Sequence, residues 1–225
     1  MKLVTFQSMD AVKDLLKKGY LECDKSKINL NKVGSTYNWV TLNMNKLIEN
    51  KYKVAYPIWC WVKCYNNIAP VKRKGEKVVG YDVKITFNKN EKDVFITDFR
   101  RYSFLLNNMY IPDNIKDKIR FDKKLEDLNI TTDELKAHVR RDKYSVFRTD
   151  EEFLKVCDEI KSSFDKCITK DSDLLQGCVW RIDLEDIESI EFLKEDGYRY
   201  GSINYIRSNG KRIDWITDFY KRLKK

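Results

Sequence analysis

A chain of 225 residues with 42% hydrophobic and 13% aromatic side chains carries enough apolar volume for a packed core, which excludes a disordered protein and predicts a single domain over 1–225. Lys and Arg outnumber Asp and Glu by 44 to 35, for a formal charge of +9, but the signs are interleaved, so a solvated surface and a patch for an anionic partner both stay open. One histidine, His138, and glycines that never cluster exclude His-dependent triads, paired-His metal sites, GxGxxG fingerprints and P-loops.

Residues 3–6 are predicted as a short strand. Ser8 then caps a helix over 9–18, and Gly19 ends it in the left-handed conformation that a residue without Cβ adopts freely. Ser35 or Thr36 is expected to cap a second helix, whose Tyr37, Val40, Met44, Leu47 and Ile48 recur at helical spacing. The segment YPIWCWVKC, residues 56–64, reads as a largely buried strand with Pro57 at its start, and the period of two puts Trp59 and Trp61 on one face. A basic loop with Lys63, Lys72, Arg73, Lys74 and Lys77 follows. The alternation of Val79, Tyr81, Val83, Ile85 and Phe87 predicts a strand with one wet face, and a turn at residues 88–90 is expected to fold it into a hairpin with residues 94–97.

Asp98 is placed to cap a helix that keeps Phe99, Tyr102, Leu105, Leu106 and Met109 on one side, and Pro112 suits the first turn of the next. From there the pattern is helical and highly charged, and residues 112–169 are predicted as a helical insertion. Thr131 with Glu134 and Thr149 with Glu152 fit capping boxes, and Phe153, Cys157, Ile160 and Phe164 form a stripe. Strands return at 178–182 and 189–193, then Asp196-Gly197 turns the chain into a strand over 198–206. A turn at Ser208-Asn209-Gly210 precedes a closing helix with Ile213, Ile216, Phe219 and Leu223. Strands at both ends of the chain must share one sheet, so the fold class is α+β: a mixed, mostly antiparallel sheet with flanking helices and the insertion.

The opening MKLVTFQSMD lacks the apolar length of a secretory signal, and no apolar run is long enough to span a bilayer. A cytoplasmic location without membrane contact is expected, with the six cysteines reduced. Cys60 and Cys64 lack the further ligands a zinc site requires, so no metal site is predicted, and Cys60 and Cys178 read as inert thiols in apolar strands. His138 is expected on an exposed helix face, and Asp183 and Glu185 as surface groups. Amphipathic aromatics beside side-chain amides are the feature that carries chemistry: Gln7, Tyr37, Trp39, Trp59, Trp61, Gln176 and Trp180. If their strands adjoin, the rings can stack on a planar ligand while the amides read its edges. Against that stands the default for strand aromatics, a place in the core.

The order of LVTFQS, YNWV, YPIWCW, TDFRRYSFLLNNMYIP and LLQGCVWRIDLEDI resembles a bacterial family catalogued as domain of unknown function 3841, over about residues 1–193, with YPIWCW the most specific string. That resemblance singles out Gln7, Trp39, Trp59, Trp61, Asp98, Asn107, Gln176 and Trp180, and implies a fold group without a mechanism. LVTFQSMDAVKDLLKKGYL and LLQGCVWRIDLEDIESI are also similar in order to ADP-ribosyltransferases. This second resemblance implies NAD as ligand, with Gln7 near the nicotinamide ribose, an aromatic such as Trp59 on the ring, and Gln176 at the catalytic position. Gln176 and Cys178 stand where such a late strand carries its glutamate, and a neutral amide stabilises an oxocarbenium-like transition state less well than a carboxylate. The expected function is a nucleotide- or NAD-type ligand-binding domain with a degenerate catalytic position, and whether it is an enzyme stays open. The alternative is a non-enzymatic basic module gripping nucleic acid or an acidic protein through the loop over 63–77, Arg100, Arg101 and the Lys-rich tail. A third reading makes the helical insertion the recognition surface.

Overall fold

Apolar alternation at the two ends of the chain closes into one sheet. The computed structural model describes residues 1–28, 30–70, 83–140, 148–193 and 199–204, with backbone alone at 27, 30–35, 136, 137, 139, 140 and 199–204. Its strands are β1 (Lys2–Gln7), β2 (Tyr20–Glu22), β3 (Ile58–Cys64), β4 (Val83–Asn88), β5 (Phe95–Asp98), β6 (Leu174–Val179), β7 (Arg181–Asp183), β8 (Ile187–Leu193) and β9 (Arg199–Asn204). Its helices are α1 (Met9–Lys18), α2 (Leu30–Leu47), α3 (Phe99–Leu106), α4 (Ile115–Asp127), α5 (Thr132–Arg140) and α6 (Glu151–Ser163). Seven strands form one sheet in the order β5-β6-β3-β1-β4-β8-β9, each ladder antiparallel, while β2 and β7 make a separate antiparallel pair. Strands from early and late in the chain therefore interleave, as the patterning requires, and the fold is α+β.

Each side of the sheet is covered by its own core. Val12, Leu15 and Leu16 of α1 pack on Leu3, Ile85, Phe87, Val179 and Ile190. On the other side, α2 to α6 bring Val40, Met44, Tyr102, Leu105, Phe121, Phe153 and Ile160 against Phe95, Cys178 and Trp180. The period of two decides this division within β6, where Leu175 and Val179 enter the first core and Cys178 the second. Gly177 is fixed by space: a Cβ there would stand 2.9 Å from Val94 Cγ1, 3.0 Å from Val62 Cγ2 and 3.2 Å from Cys60 Sγ. Gly177→Ala should cost about 1–3 kcal/mol through overpacking, readable as a lower urea midpoint at unchanged slope.

Local signals behave as the sequence dictates. Ser8 Oγ accepts from the Ala11 N–H at 3.3 Å, and Gly19, at φ 83°, closes α1 by donating to the Leu15 carbonyl at 2.8 Å. Asp98 Oδ1 accepts from the Arg101 N–H at 2.8 Å at the start of α3. Thr131 and Glu134 cap α5 reciprocally, at 2.7 Å and 3.2 Å. The stripe Phe153, Cys157, Ile160 and Phe164 is buried.

Other expectations are corrected. α2 begins at Leu30, so Ser35 and Thr36 lie inside it. Asp150, one residue past Thr149, caps α6 by accepting from the Phe153 N–H at 2.9 Å, and Asn114 rather than Pro112 opens α4. The hairpin between β4 and β5 does not form: β4 already has β1 and β8 on its two edges, and the 3-10 turn Glu91–Asp93 sends the chain to the far edge, where β5 pairs with β6. The strand expected over 178–182 is divided at Trp180, so that β7 leaves the main sheet for β2. His138 is half-buried with its ring edge-on to Phe153, centroids 5.2 Å apart, because α5 packs that face on α6. Asp183 is ion-paired with Lys89 at 3.2 Å and Arg181 at 2.6 Å, and Arg181 lies between the rings of Tyr20 and Tyr52. The loop residues Lys72, Arg73, Lys74 and Lys77, the strand positions Val79 and Tyr81, the Asp196-Gly197 turn and the closing helix with its basic tail lie outside the described residues.

A polar network ties α4 to α6. Arg120 bridges Asp117 at 2.9 Å and Glu159 at 2.8 Å, and Lys124 reaches Glu159 at 2.6 Å. The Asp113 N–H first, then the Arg120 guanidinium and the Tyr110 hydroxyl, hold the Asp117 carboxyl down from the ordinary 3.8 to about 2. A carboxylate with a depressed folded-state pKa stabilises above its unfolded value, and that contribution disappears as pH falls through the folded value. Asp117→Asn should therefore lower the melting temperature near neutral pH, and the gap to the parent chain should close as pH falls from 3.8 towards 2. Thermal melts across that window check this, and a pH-independent gap would refute it.

Candidate functional site

Among the described strands, the sheet is thinly paired between β1 and β3. β1 pairs with β4 along its whole length, from Lys2↔Asn88 to Gln7↔Val83, whereas its ladder with β3 consists of the single pair Val4↔Trp61. Past that pair the two strands part, and a side chain bridges the gap: Thr5 Oγ1 donates to the Trp59 carbonyl at 2.8 Å. Gln7 Nε2 donates in turn to the Thr5 hydroxyl at 2.8 Å, which fixes its amide at the mouth of the opening. A cleft of about 680 Å³ lies there, lined by Gln7 and Thr5 on one lip and Trp59 and Trp61 on the other.

The strand register explains how both amides reach this cleft. Gln176 stands level with Trp61 on one side and Thr97 on the other, on the sheet face that meets α3. Gln7 lies three residues beyond Val4, the partner of Trp61, so alternation turns it to the opposite face with Leu3 and Thr5. The cleft draws on both faces because the sheet is parted between β1 and β3. Gln7 is held by Thr5; the Gln176 amide makes no hydrogen bond among the described residues and is half-buried.

Aromatic rings wall the α2–α3 side. Trp59 tilts over Tyr102 with centroids 4.7 Å apart, Trp61 over Phe99 at 5.2 Å, and Tyr37 meets Trp59 edge-on at 6.2 Å. Trp59 and Trp61 are both half-buried, so indole surface stays open to the cleft. The structure thus brings together Gln7, Tyr37, Trp59, Trp61 and Gln176. It does not bring Trp39, Asp98, Asn107 or Trp180 to this place. Trp39 packs on Phe95 at 6.2 Å, and Trp180, 3% exposed, donates from Nε1 to the Ile48 carbonyl at 3.4 Å. Asn107 is exposed at the end of α3, where its Nδ2 donates to the Ser103 carbonyl at 2.7 Å. Asp98, 7% exposed, caps α3 and faces a neighbouring hollow of about 500 Å³. The cations of that hollow are already partnered: Lys63 with Asp173 at 2.7 Å, Lys170 with Glu91, Arg101 with the Lys166 carbonyl at 2.7 Å, and Arg100 with the Tyr65 hydroxyl at 3.3 Å.

Sequence reasoning missed Phe99 and Tyr102, read there as one side of a helix, and the carboxylates Asp14, Glu22 and Asp24, which line the α1–β2 side of the cleft. Their role rests on the parting of β1 from β3, for which the chain carries no local signal. Burial holds the thiols protonated: Cys60 and Cys178 are pushed well above the ordinary thiol range, and burial, then the Asp24 charge, raises Cys23 to about 11. Burial likewise raises the Tyr102 phenol. Among the described residues no three His, Cys, Asp or Glu side chains converge as metal ligands.

A family model described as Domain of unknown function (DUF3841) matches residues 2–188. The chain belongs to this family. No curated protein and no solved structure matches it. The DUF3841 span contains every residue that lines the cleft, from Thr5 to Gln176. Among the described residues of this DUF3841 chain, no helix is long and apolar enough to cross a membrane.

Proposed function

We propose that the cleft of this DUF3841 chain binds a nucleotide- or NAD-type ligand, in an arrangement similar to that of ADP-ribosyltransferases but with Gln176 at a degenerate catalytic position. The observation that carries this reading is the meeting of Gln7 and Gln176, from opposite ends of the family span, in one indole-walled opening. Its volume falls within the roughly 300–1,000 Å³ of small-molecule sites. Gln176 is half-buried and makes no hydrogen bond among the described residues, so its amide is available to a ligand. Trp59 and Trp61 supply the faces for stacking.

No carboxylate stands at the Gln176 position, and the neighbouring thiols stay protonated, so binding is expected without efficient glycosidic cleavage. The basic-module alternative gains nothing from the hollow beside Asp98, whose cations are already partnered. The test is a thermal melt with NAD and with ADP-ribose: ligand at a hundred times its Kd adds about 2.7 kcal/mol of stability by mass action, a shift of several degrees. No shift with either at millimolar concentration overturns the reading.

A further inference from the structure

Resting on the reading of this cleft as a ligand site, we propose that Thr97 sets its specificity from behind. In the liganded protein the Thr97 hydroxyl donates to the Gln176 amide oxygen, which leaves the amide N–H groups for a carbonyl on a ring stacked against Trp61. Three neighbouring strands supply the row. Thr97 of β5, Gln176 of β6 and Trp61 of β3 stand level in the two ladders, so their side chains leave one face of the sheet side by side. Directly opposite residues of an antiparallel pair have Cβ atoms about 4.5–5.5 Å apart, within reach of a glutamine side chain. Gln176 and Trp61 line the cleft, and Thr97 is 0% exposed beside them.

Both polar members of the row lack a partner. Thr97 Oγ1 is a buried oxygen without a hydrogen bond, and the Gln176 amide makes none among the described residues. Buried polar side chains are nearly always bonded, and the side chain standing level with Thr97 across the ladder is Gln176. The unpaired hydrogen is the costlier part of a buried hydroxyl, so it goes to the amide oxygen. The terminal torsion of a glutamine is broad and two-fold, and the amide turns to meet it at little cost. With its oxygen engaged, Gln176 presents only donors to the cleft. Trp61, half-buried and resting on Phe99 at 5.2 Å, offers its indole beside those donors. A flat ring lying on that indole meets the amide at its edge, where a carbonyl is bonded and an amino group is not.

Three pyridines of similar shape isolate the carbonyl. Nicotinamide and 3-acetylpyridine carry it, and 3-aminopyridine replaces it with an amine while keeping the ring nitrogen. Ligand-observed NMR titrations on the full chain read the affinities. The two carbonyl compounds should bind within about twofold of each other, and 3-aminopyridine about fivefold more weakly. Thr97→Val should weaken the carbonyl compounds about fivefold and leave the melting temperature unchanged or higher, because a methyl group takes the place of the orphan hydroxyl. Thr97→Ser, which keeps the hydroxyl, should retain the parent affinity. In a Gln176→Leu background Thr97→Val should change nothing further, since the hydroxyl acts through the amide. Should Thr97→Val not fold, Thr97→Ala against Thr97→Ser makes the same comparison. Equal affinity of the three compounds, no saturable binding of nicotinamide, unchanged affinity in Thr97→Val, or a Thr97→Val loss that persists in Gln176→Leu overturns the proposal. Thermal melts with NAD separate it from the reading beneath it. Carbonyl selection that follows Thr97, without any NAD shift, removes the nucleotide reading alone. An NAD shift undiminished in both Thr97→Val and Gln176→Leu removes the Thr97 proposal alone.

Discussion

Trp180→Ala should destabilise the fold by about 3–5 kcal/mol and leave ligand affinity per folded molecule within about twofold of the parent value. The indole is 3% exposed and sits among Cys178, Phe95 and the helical core, with its Nε1 donating to the Ile48 carbonyl at the end of α2. Truncation removes a large apolar surface and leaves a cavity that the two flanking strands and α2 are too constrained to fill. It also takes away the donor to Ile48, whose carbonyl then stands unpaired. Set against a total stability of roughly 5–15 kcal/mol for a domain of this kind, the loss should be visible as a large fall in urea midpoint. Binding should survive because the indole is separated from the cleft by the packed core. A cost below about 1 kcal/mol would mean that Trp180 is open to solvent after all.

The opposite division of effects is expected for Trp61→Ala. This indole is half-buried, rests on Phe99 at 5.2 Å and belongs to neither core, so its removal should leave the melting temperature within a few degrees of the parent. Stacking of a planar base on an aromatic side chain is worth about 1–3 kcal/mol, and NAD affinity measured by calorimetry should fall by roughly five- to 150-fold. Unchanged affinity in a folded Trp61→Ala chain would move the ligand elsewhere. Two tryptophans of similar local context thus give mirror-image results, one in stability and one in binding.

That contrast shows where the sequence stops being legible. Ser8, Gly19, Asp98 and the Thr131–Glu134 pair terminate helices through bonds made within a few residues, so their roles follow from spacing. The stripe of α6 and the alternation in β4 and β8 likewise state which face is buried, and strands at both ends of the chain imply a shared sheet. The string YPIWCW carries the family resemblance, which the match to DUF3841 bears out. Pairing partners are a different matter. Local pattern made β4 and β5 a hairpin, yet β4 has both edges occupied and β5 lies at the far edge of the sheet.

The chain's own text determined the α+β class, most helix ends and a set of aromatics and amides worth watching. Tertiary structure decided which of them share a cleft. Trp59 and Trp180 look alike as strand-associated indoles, but β3 parts from β1 beside the first, and the chain turns the second into the helical core. Asp14 of α1 and Glu22 of β2 line the same cleft as the rings, far from them in sequence. Helix caps and periodicity are settled by neighbours a few residues away, whereas an opening between two strands is the result of every long-range ladder around it, and no single segment encodes that.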